Sequence, residues 1–144
     1  MRRAARVLLV DADERVLLQH CCDPADRSRR WWNTTGGGID AQESAAEAAA
    51  RELVEETGMR VEAAALGQVV HRRITAFCFD GQDYRQAEEY FLLRVEAFDA
   101  VPTAHTPLEV AAVLGTRWWS RAELRGTAER IYPAELPDLL DRLL

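Results

Sequence analysis

The segment WWNTTGGGIDAQESAAEAAARELVEETGM, residues 31–59, leaves this chain few ways to fold. Three consecutive glycines, Gly36, Gly37 and Gly38, precede a stretch with clear helix punctuation. Ser44 and Glu47 form an S-x-x-E capping box, which puts the N-cap at Ser44. Gly58 stands where a left-handed residue closes a helix. The spacing therefore predicts a helix over 45–57. At about 100° per residue, Ala46, Ala49, Ala50, Leu53 and Thr57 share one side, which is expected to face the core. Glu52, Glu55 and Glu56 fall in a separate arc of about 100°, centred away from that side. Arg51 lies four residues from both Glu47 and Glu55 and can pair with either.

Three carboxylates that close repel one another, and Arg51 can pair with only one or two of them. A hard divalent cation is the natural remedy, and oxygen donors at this density suit Mg²⁺ or Mn²⁺. A solvated acidic helix face is the competing reading. Glycine permits positive φ and close backbone approach, so Gly36–Gly38 offer amides and carbonyls to phosphate or metal. A plain flexible turn is the alternative there.

The 144 residues are enough for one domain, 1–144, with a real core. Hydrophobic residues at 48% and charged residues at 29% read as an ordinary soluble globular composition. No apolar run reaches the roughly 18 residues of a membrane span, so no membrane partner is expected. The opening MRRAARVLLVDADE reads as a first strand, not a signal peptide. A net charge of −6 argues against a nucleic-acid surface. It leaves room for a phosphorylated small molecule if metal supplies positive charge. There is no lysine; all 18 basic residues are arginine. That excludes a P-loop and Schiff-base chemistry. Cys21, Cys22 and Cys78 have no framework spacing and read as buried or half-buried free thiols in a reducing, cytoplasmic setting.

Along the chain, RVLLV and RVLLQH around DADE predict a strand hairpin. Residues 21–30 read as a polar loop. One or two strands are expected over 61–80, and residues 88–98 give the strongest strand signal. Residues 101–110 read as a loop or lid, and RWWS as a short strand. A second capping box, Ser120 to Glu123, opens a short helix, and LPDLLDRLL closes the chain as an amphipathic one. This order predicts an α/β sandwich with a mixed β-sheet.

From Gly37 the spacing is G-x5-E-x7-R-E-U-x-E-E-x-G-U, with U a bulky apolar residue. Gly37, Glu43, Arg51, Glu52, Leu53, Glu55, Glu56, Gly58 and Met59 fill the fixed places. This resembles the Nudix box of the Nudix hydrolases. The resemblance implies an α/β/α sandwich and metal-dependent hydrolysis of a nucleoside diphosphate linked to another moiety. It implies that Glu52, Glu55 and Glu56 bind Mg²⁺ or Mn²⁺, with the Gly36 carbonyl as a further ligand. It also implies that Arg51 orients the glutamates and that Glu43 supports the loop or holds metal through water. Thr34-Thr35 and Ala41-Gln42 depart from the Leu-Pro and Pro-Gly that many members carry, without removing a ligand. Dimers are common among relatives, and a homodimer is compatible with the resemblance.

For the water's proton, the candidate bases are Glu52 and Glu55 in the box and Glu109 outside it. Arg27, Arg29 and Arg30 are candidate phosphate contacts, and Gly37 and Gly38 offer backbone to the same group. Trp31, Trp32, Trp118 and Trp119 offer stacking surfaces, with Trp32 the chosen substrate contact. Alternation along a strand puts one ring of each pair in the core. His20, His71 and His105 share no ligand spacing and read as surface or satisfied histidines. Two other functions fit the same fold: a non-catalytic nucleotide sensor, or an isoprenoid diphosphate isomerase using one of the cysteines. The box keeps its glutamates, which favours the hydrolase of a small nucleotide substrate.

Overall fold

The computed structural model describes residues 1–103 and 107–144. Its strands are β1 (Arg2–Val10), β2 (Val16–Asp23), β3 (Asp26–Gly38), β4 (His71–Phe79), β5 (Gln82–Arg94), β6 (Val113–Trp119) and β7 (Ile131–Tyr132). Its helices are α1 (Ala45–Thr57), α2 (Pro107–Ala112), α3 (Arg121–Gly126) and α4 (Leu136–Leu143). A short 3₁₀ turn, Ala63–Leu66, ends at Gly67 ahead of β4.

The strands form one mixed sheet in which β1 pairs parallel with β5 and β3 pairs parallel with β7; the other pairings are antiparallel. β1 explains why the first apolar run is continuous rather than alternating: both of its faces are covered. Val7 and Leu9 pack with Ala48, Ala49 and Leu53 of α1 in one core. Leu8 and Val10 pack with Trp119, Leu136, Leu139 and Leu140 in the other. Helices thus cover both faces of the sheet, as expected for an α/β/α sandwich. Trp32 and Trp119 are in the second core while Trp31 and Trp118 are only half-buried, the alternation read from the sequence.

The helix punctuation holds to the residue. Ser44 and Glu47 make the reciprocal capping box, and Gly58 closes α1 in the left-handed region at φ 78°. Ser120 and Glu123 do the same for α3. Of the expected core side of α1, Ala49, Leu53 and Thr57 are buried, and Ala46 and Ala50 are partly covered.

Residues 21–30 are not a loop. β2 runs to Asp23 and β3 starts at Asp26, so only Pro24 and Ala25 turn. The polarity that suggested a loop belongs to an extended arm whose early residues, Asp26 to Arg30, are exposed although hydrogen-bonded to β2. Cys21 and Cys22 are buried free thiols, and burial pushes Cys21 up to about 12. Cys78 is exposed instead, because it alternates outward on β4. In the expected loop over 101–110, residues 104–106, with His105, lie outside the described residues, and residues 107–112 form α2.

Leu140→Ala removes a fully buried side chain from the α4 core. It is expected to cost about 2–5 kcal/mol in urea unfolding. Ile74→Ala, on the exposed face of β4, should stay within about 0.5 kcal/mol.

Candidate functional site

The site forms where α1 crosses the C-terminal end of β3. Glu52 and Glu56 are one turn apart on α1 and are buried, 8% and 5% exposed. The solvated acidic face that was the competing reading does not apply to these two residues; away from the apolar side of α1, they press onto the glycines. A Cβ built on Gly37 would lie 2.5 Å from Glu52 Oε1, closer than any real side chain allows. Gly36 has φ 137°, and its Cβ would meet the Ala5 carbonyl at 2.1 Å. Only glycine fits at Gly36, whereas a side chain at Gly37 would displace the Glu52 carboxylate. The freed backbone is used at once: the Gly36 amide donates to Glu56 Oε2 at 3.0 Å.

Arg51 ties the turn together from the solvent side. Its Nε and Nη2 donate to the two oxygens of Glu43 at 2.7 and 2.9 Å. Nη2 also donates to the Gly38 carbonyl at 2.9 Å. Nη1 reaches Glu52 at 3.1 Å and Glu55 at 3.3 Å. Glu47, the other partner that helical spacing allowed, is held by the capping box instead. Glu43 also accepts from the Asp40 amide, so it supports the loop directly. Donation from Arg51 first, then from Asp40, holds its carboxyl below the usual range despite some burial.

Arg6 braces the same turn from the other side. Nη1 donates to the carbonyls of Gly36 at 3.1 Å and Thr34 at 3.3 Å, and Nε to Glu88 at 3.3 Å. The Gly36 carbonyl, expected as a metal ligand, therefore already accepts one hydrogen bond. Glu88 gathers Arg73, Gln86 and Tyr90 as further donors. Burial pushes the Glu88 carboxyl up, but Arg6 and Arg73 outweigh it and leave it below its ordinary value.

Glu52 and Glu56 behave oppositely. Burial raises both. Arg51 partly offsets this at Glu52. At Glu56 the neighbouring Glu52 adds to the rise, and it stands well above the ordinary range. The carboxylate that joins them is Glu109 of α2: single oxygens of Glu52, Glu56 and Glu109 lie within 4.8 Å of one another. Glu55 is not in that group; it is turned toward Arg51. Three converging carboxylates, two of them buried, form a hard-oxygen donor set that fits a divalent cation.

Beside this group opens a cleft of about 980 Å³. Gly36, Gly37, Gly38, Glu52, Glu56 and Glu109 line it at one end, and Arg29, Arg30, Trp31 and Phe79 line it as well. Arg27 does not line it; its position on the arm is exposed. Trp32 does not line it either. Its ring stacks on His20 at 4.3 Å and meets Trp119 edge-on at 5.1 Å in the core. The half-buried partner of the pair, Trp31, takes the place on the cleft wall that Trp32 was expected to hold. Tyr84 lines the cleft and Phe91 is core. His71 is half-buried, with Nε2 lacking a hydrogen-bond partner and 3.9 Å from Glu135.

Arg6 and Arg73 were missed altogether. The sole trace of Arg6 in the sequence is one charge inside a run that is otherwise apolar on both faces.

A model of the NUDIX domain matches residues 1–140 of this chain. An RNA pyrophosphohydrolase of Sphingopyxis alaskensis is 32% identical over 116 residues, covering 73% of this chain and 70% of that protein. A MutT protein from Methanosarcina mazei Go1 superposes with a TM-score of 0.70 at 20% identity, over 98% of this chain and 91% of that one. The dihydroneopterin triphosphate pyrophosphohydrolase of E. coli gives 0.63 at 21% identity, over 97% and 92%. These two structures share the fold.

The raised carboxyls set a pH dependence. Their folded-state values lie above the unfolded value of about 4.3, so the folded state binds more protons and stability falls as pH rises through the raised values. Without metal, the protein should therefore lose stability as pH rises above about 4 and through the raised values. Glu88, lowered, acts at the acid end, where its contribution is lost as pH falls. Glu56→Gln keeps an acceptor for the Gly36 amide and removes a buried charge. Its melting temperature in EDTA at pH 7.5 should exceed that of wild type by about 3 °C or more. An equal or lower value would contradict this account of the site.

Proposed function

This chain belongs to the Nudix family of hydrolases acting on pyrophosphate bonds, and on that premise we propose that it is a metal-dependent pyrophosphohydrolase of nucleoside polyphosphates or related nucleotide derivatives. The observation that carries this is the convergence of Glu52, Glu56 and Glu109 beside an arginine-lined cleft. Glu52 and Glu56 would hold Mg²⁺ or Mn²⁺; the Gly36 carbonyl, with one lone pair on Arg6, has a second to offer. A bound ion supplies a lowered water pKa and neutralises phosphate charge.

The chain's own residues do the rest. Arg51 fixes the rotamer of Glu52 and locks Glu43 and the Gly38 carbonyl, so the glycine turn cannot drift from α1. Glu55 supports Arg51 from the next turn of α1. Glu109 is the least buried of the three carboxylates and lines the cleft. It would take the proton of the attacking water on a carboxylate oxygen. Arg29 and Arg30 would meet the phosphate chain as it enters, with guanidinium geometry suited to it. The Gly37 and Gly38 backbone would lie alongside, and Trp31 would offer its face to a base. The RNA pyrophosphohydrolase relative adds a 5′-triphosphorylated RNA end to the substrates worth testing.

Incubation with Mg²⁺ and a panel of nucleoside triphosphates, ADP-ribose, dinucleoside polyphosphates and 5′-triphosphorylated RNA should give turnover of at least one class. Glu109→Gln should lower kcat by about 10²–10⁴-fold while Mg²⁺ still binds in calorimetry. Glu56→Gln should abolish saturable Mg²⁺ uptake. A panel without turnover, from a protein that still bound a nucleotide, would favour the sensor reading.

A further inference from the structure

Two turns that meet across the sheet supply the arm side of the cleft. Asp23 ends β2 and is 1% exposed, although it carries a carboxylate. Its Oδ1 accepts from the Ala25 amide at 2.9 Å, within its own turn, and from the Asp80 amide at 3.0 Å, 57 residues away in the turn between β4 and β5. Its Oδ2 accepts from Arg29 Nη1 at 3.0 Å. Asp80 adopts φ 51°, the left-handed region that non-glycine residues seldom enter. Beside this joint the Trp31 and Phe79 rings meet edge-on, with centroids 6.2 Å apart. Arg29, Trp31 and Phe79 line the cleft.

A hairpin turn of this size closes without a buried carboxylate, and burying one is costly unless it is fully bonded. Here one bond goes to Arg29, which lines the cleft, and another to the amide of Asp80, next in the chain to the lining residue Phe79. We propose that Asp23 is a positioning residue for substrate recognition. It fastens the β2–β3 turn to the β4–β5 turn, which sets Trp31 and Phe79 as an aromatic wall for a nucleobase and Arg29 as a phosphate contact. The inference rests on the reading of the cleft as the substrate site. From Trp31 to Gly37 the strand spans about 20 Å at about 3.3 Å per residue, so an extended nucleoside polyphosphate with its phosphates at the glutamates would carry its base toward that wall. Base-aromatic stacking contributes about 1–3 kcal/mol, so loss of the wall is an affinity effect that a polyphosphate without a base does not feel.

The test compares wild type, Asp23→Asn and Asp23→Ala. Calorimetry with Mg²⁺ gives Kd for ATP, GTP and inorganic tripolyphosphate, and hydrogen exchange follows the Asp80 amide without ligand. Asp23→Asn keeps both amide acceptances and loses the charge on Arg29; it should keep Asp80 protected and weaken all three ligands about equally, by about threefold. Asp23→Ala should lose Asp80 protection and weaken the better-bound nucleotide tenfold or more, with tripolyphosphate affected only as in Asp23→Asn. For any nucleotide that is cleaved, KM should rise with kcat within threefold. Unchanged Asp80 protection in Asp23→Ala, or lost protection with unchanged nucleotide affinity, overturns the proposal while leaving the site reading intact. Should Asp23→Ala fail to fold, an unchanged Kd in Asp23→Asn overturns it. A wild-type protein that neither binds nor cleaves any nucleotide sinks the site reading itself, and shows this before a variant is made.

Discussion

Two carboxylates are pressed against a strand end that has no side chains, and the rest of the site is arranged around that contact. Glu52 occupies the volume that any β-carbon on Gly37 would need, and Glu56 takes its hydrogen bond from the Gly36 amide. The Glu52 carboxylate can lie this close to β3 because Gly37 has no side chain there. Helix α1 must also sit this close for the carboxylates to be buried and aimed at Glu109. Burial then does what solvent would prevent. It keeps the carboxylates under-compensated, since Arg51 spreads its five donors over Glu43, Glu52, Glu55 and the Gly38 carbonyl. The charge left over favours a cation, and the fold bears the cost when none is bound.

Arginine takes every position that lysine could have held in this chain, and the site shows what it does that lysine could not. Arg51 and Arg6 hold the glycine turn from opposite sides, one on the Gly38 carbonyl and the other on the carbonyls of Gly36 and Thr34. Each also binds a carboxylate that is itself held by other groups. A planar fork makes these bonds at fixed angles, whereas an ammonium would make them loosely. The turn is therefore rigid without proline, which answers the absence of the Leu-Pro and Pro-Gly pairs that many relatives carry.

Much of this was legible locally. The capping boxes at Ser44 and Ser120, the left-handed Gly58 and the strand before Arg94 depend on a few neighbouring residues, and the sequence states them outright. Burial of Glu52 and Glu56 does not depend on their helix alone. A helical wheel sees an acidic arc, and only β3 lying over that arc makes it interior. The polar arm failed for a related reason: residues 26–30 carry no apolar alternation because one edge pairs with β2 while their side chains stay in solvent. Trp31 and Trp32 were correctly split into one inside and one outside, but parity alone does not say which. Glu109 is one of several loop and helix acids until α2 brings it within reach of the other two. Asp23 and Glu88 owe their roles to partners 57 and 82 residues distant, a separation that leaves no pattern in the sequence.

The two ends of the cleft are consequently under different control. At the glutamate end, every partner except Arg6 and Glu109 lies within one contiguous segment from the glycines to Thr57, so its geometry survives as long as that segment and its seat on β1 survive. At the arm end the wall exists only where two separate hairpins meet, and a change in either turn moves it. Arg51 and Arg6 hold the glycine turn through bonds that do not involve residues 26–31, so the arm end can change ring or charge while those bonds stay in place. The family of this chain includes an RNA pyrophosphohydrolase, and its fold is that of a dihydroneopterin triphosphate pyrophosphohydrolase; a constant glutamate end beside a variable arm end is an arrangement on which one fold can carry different specificities.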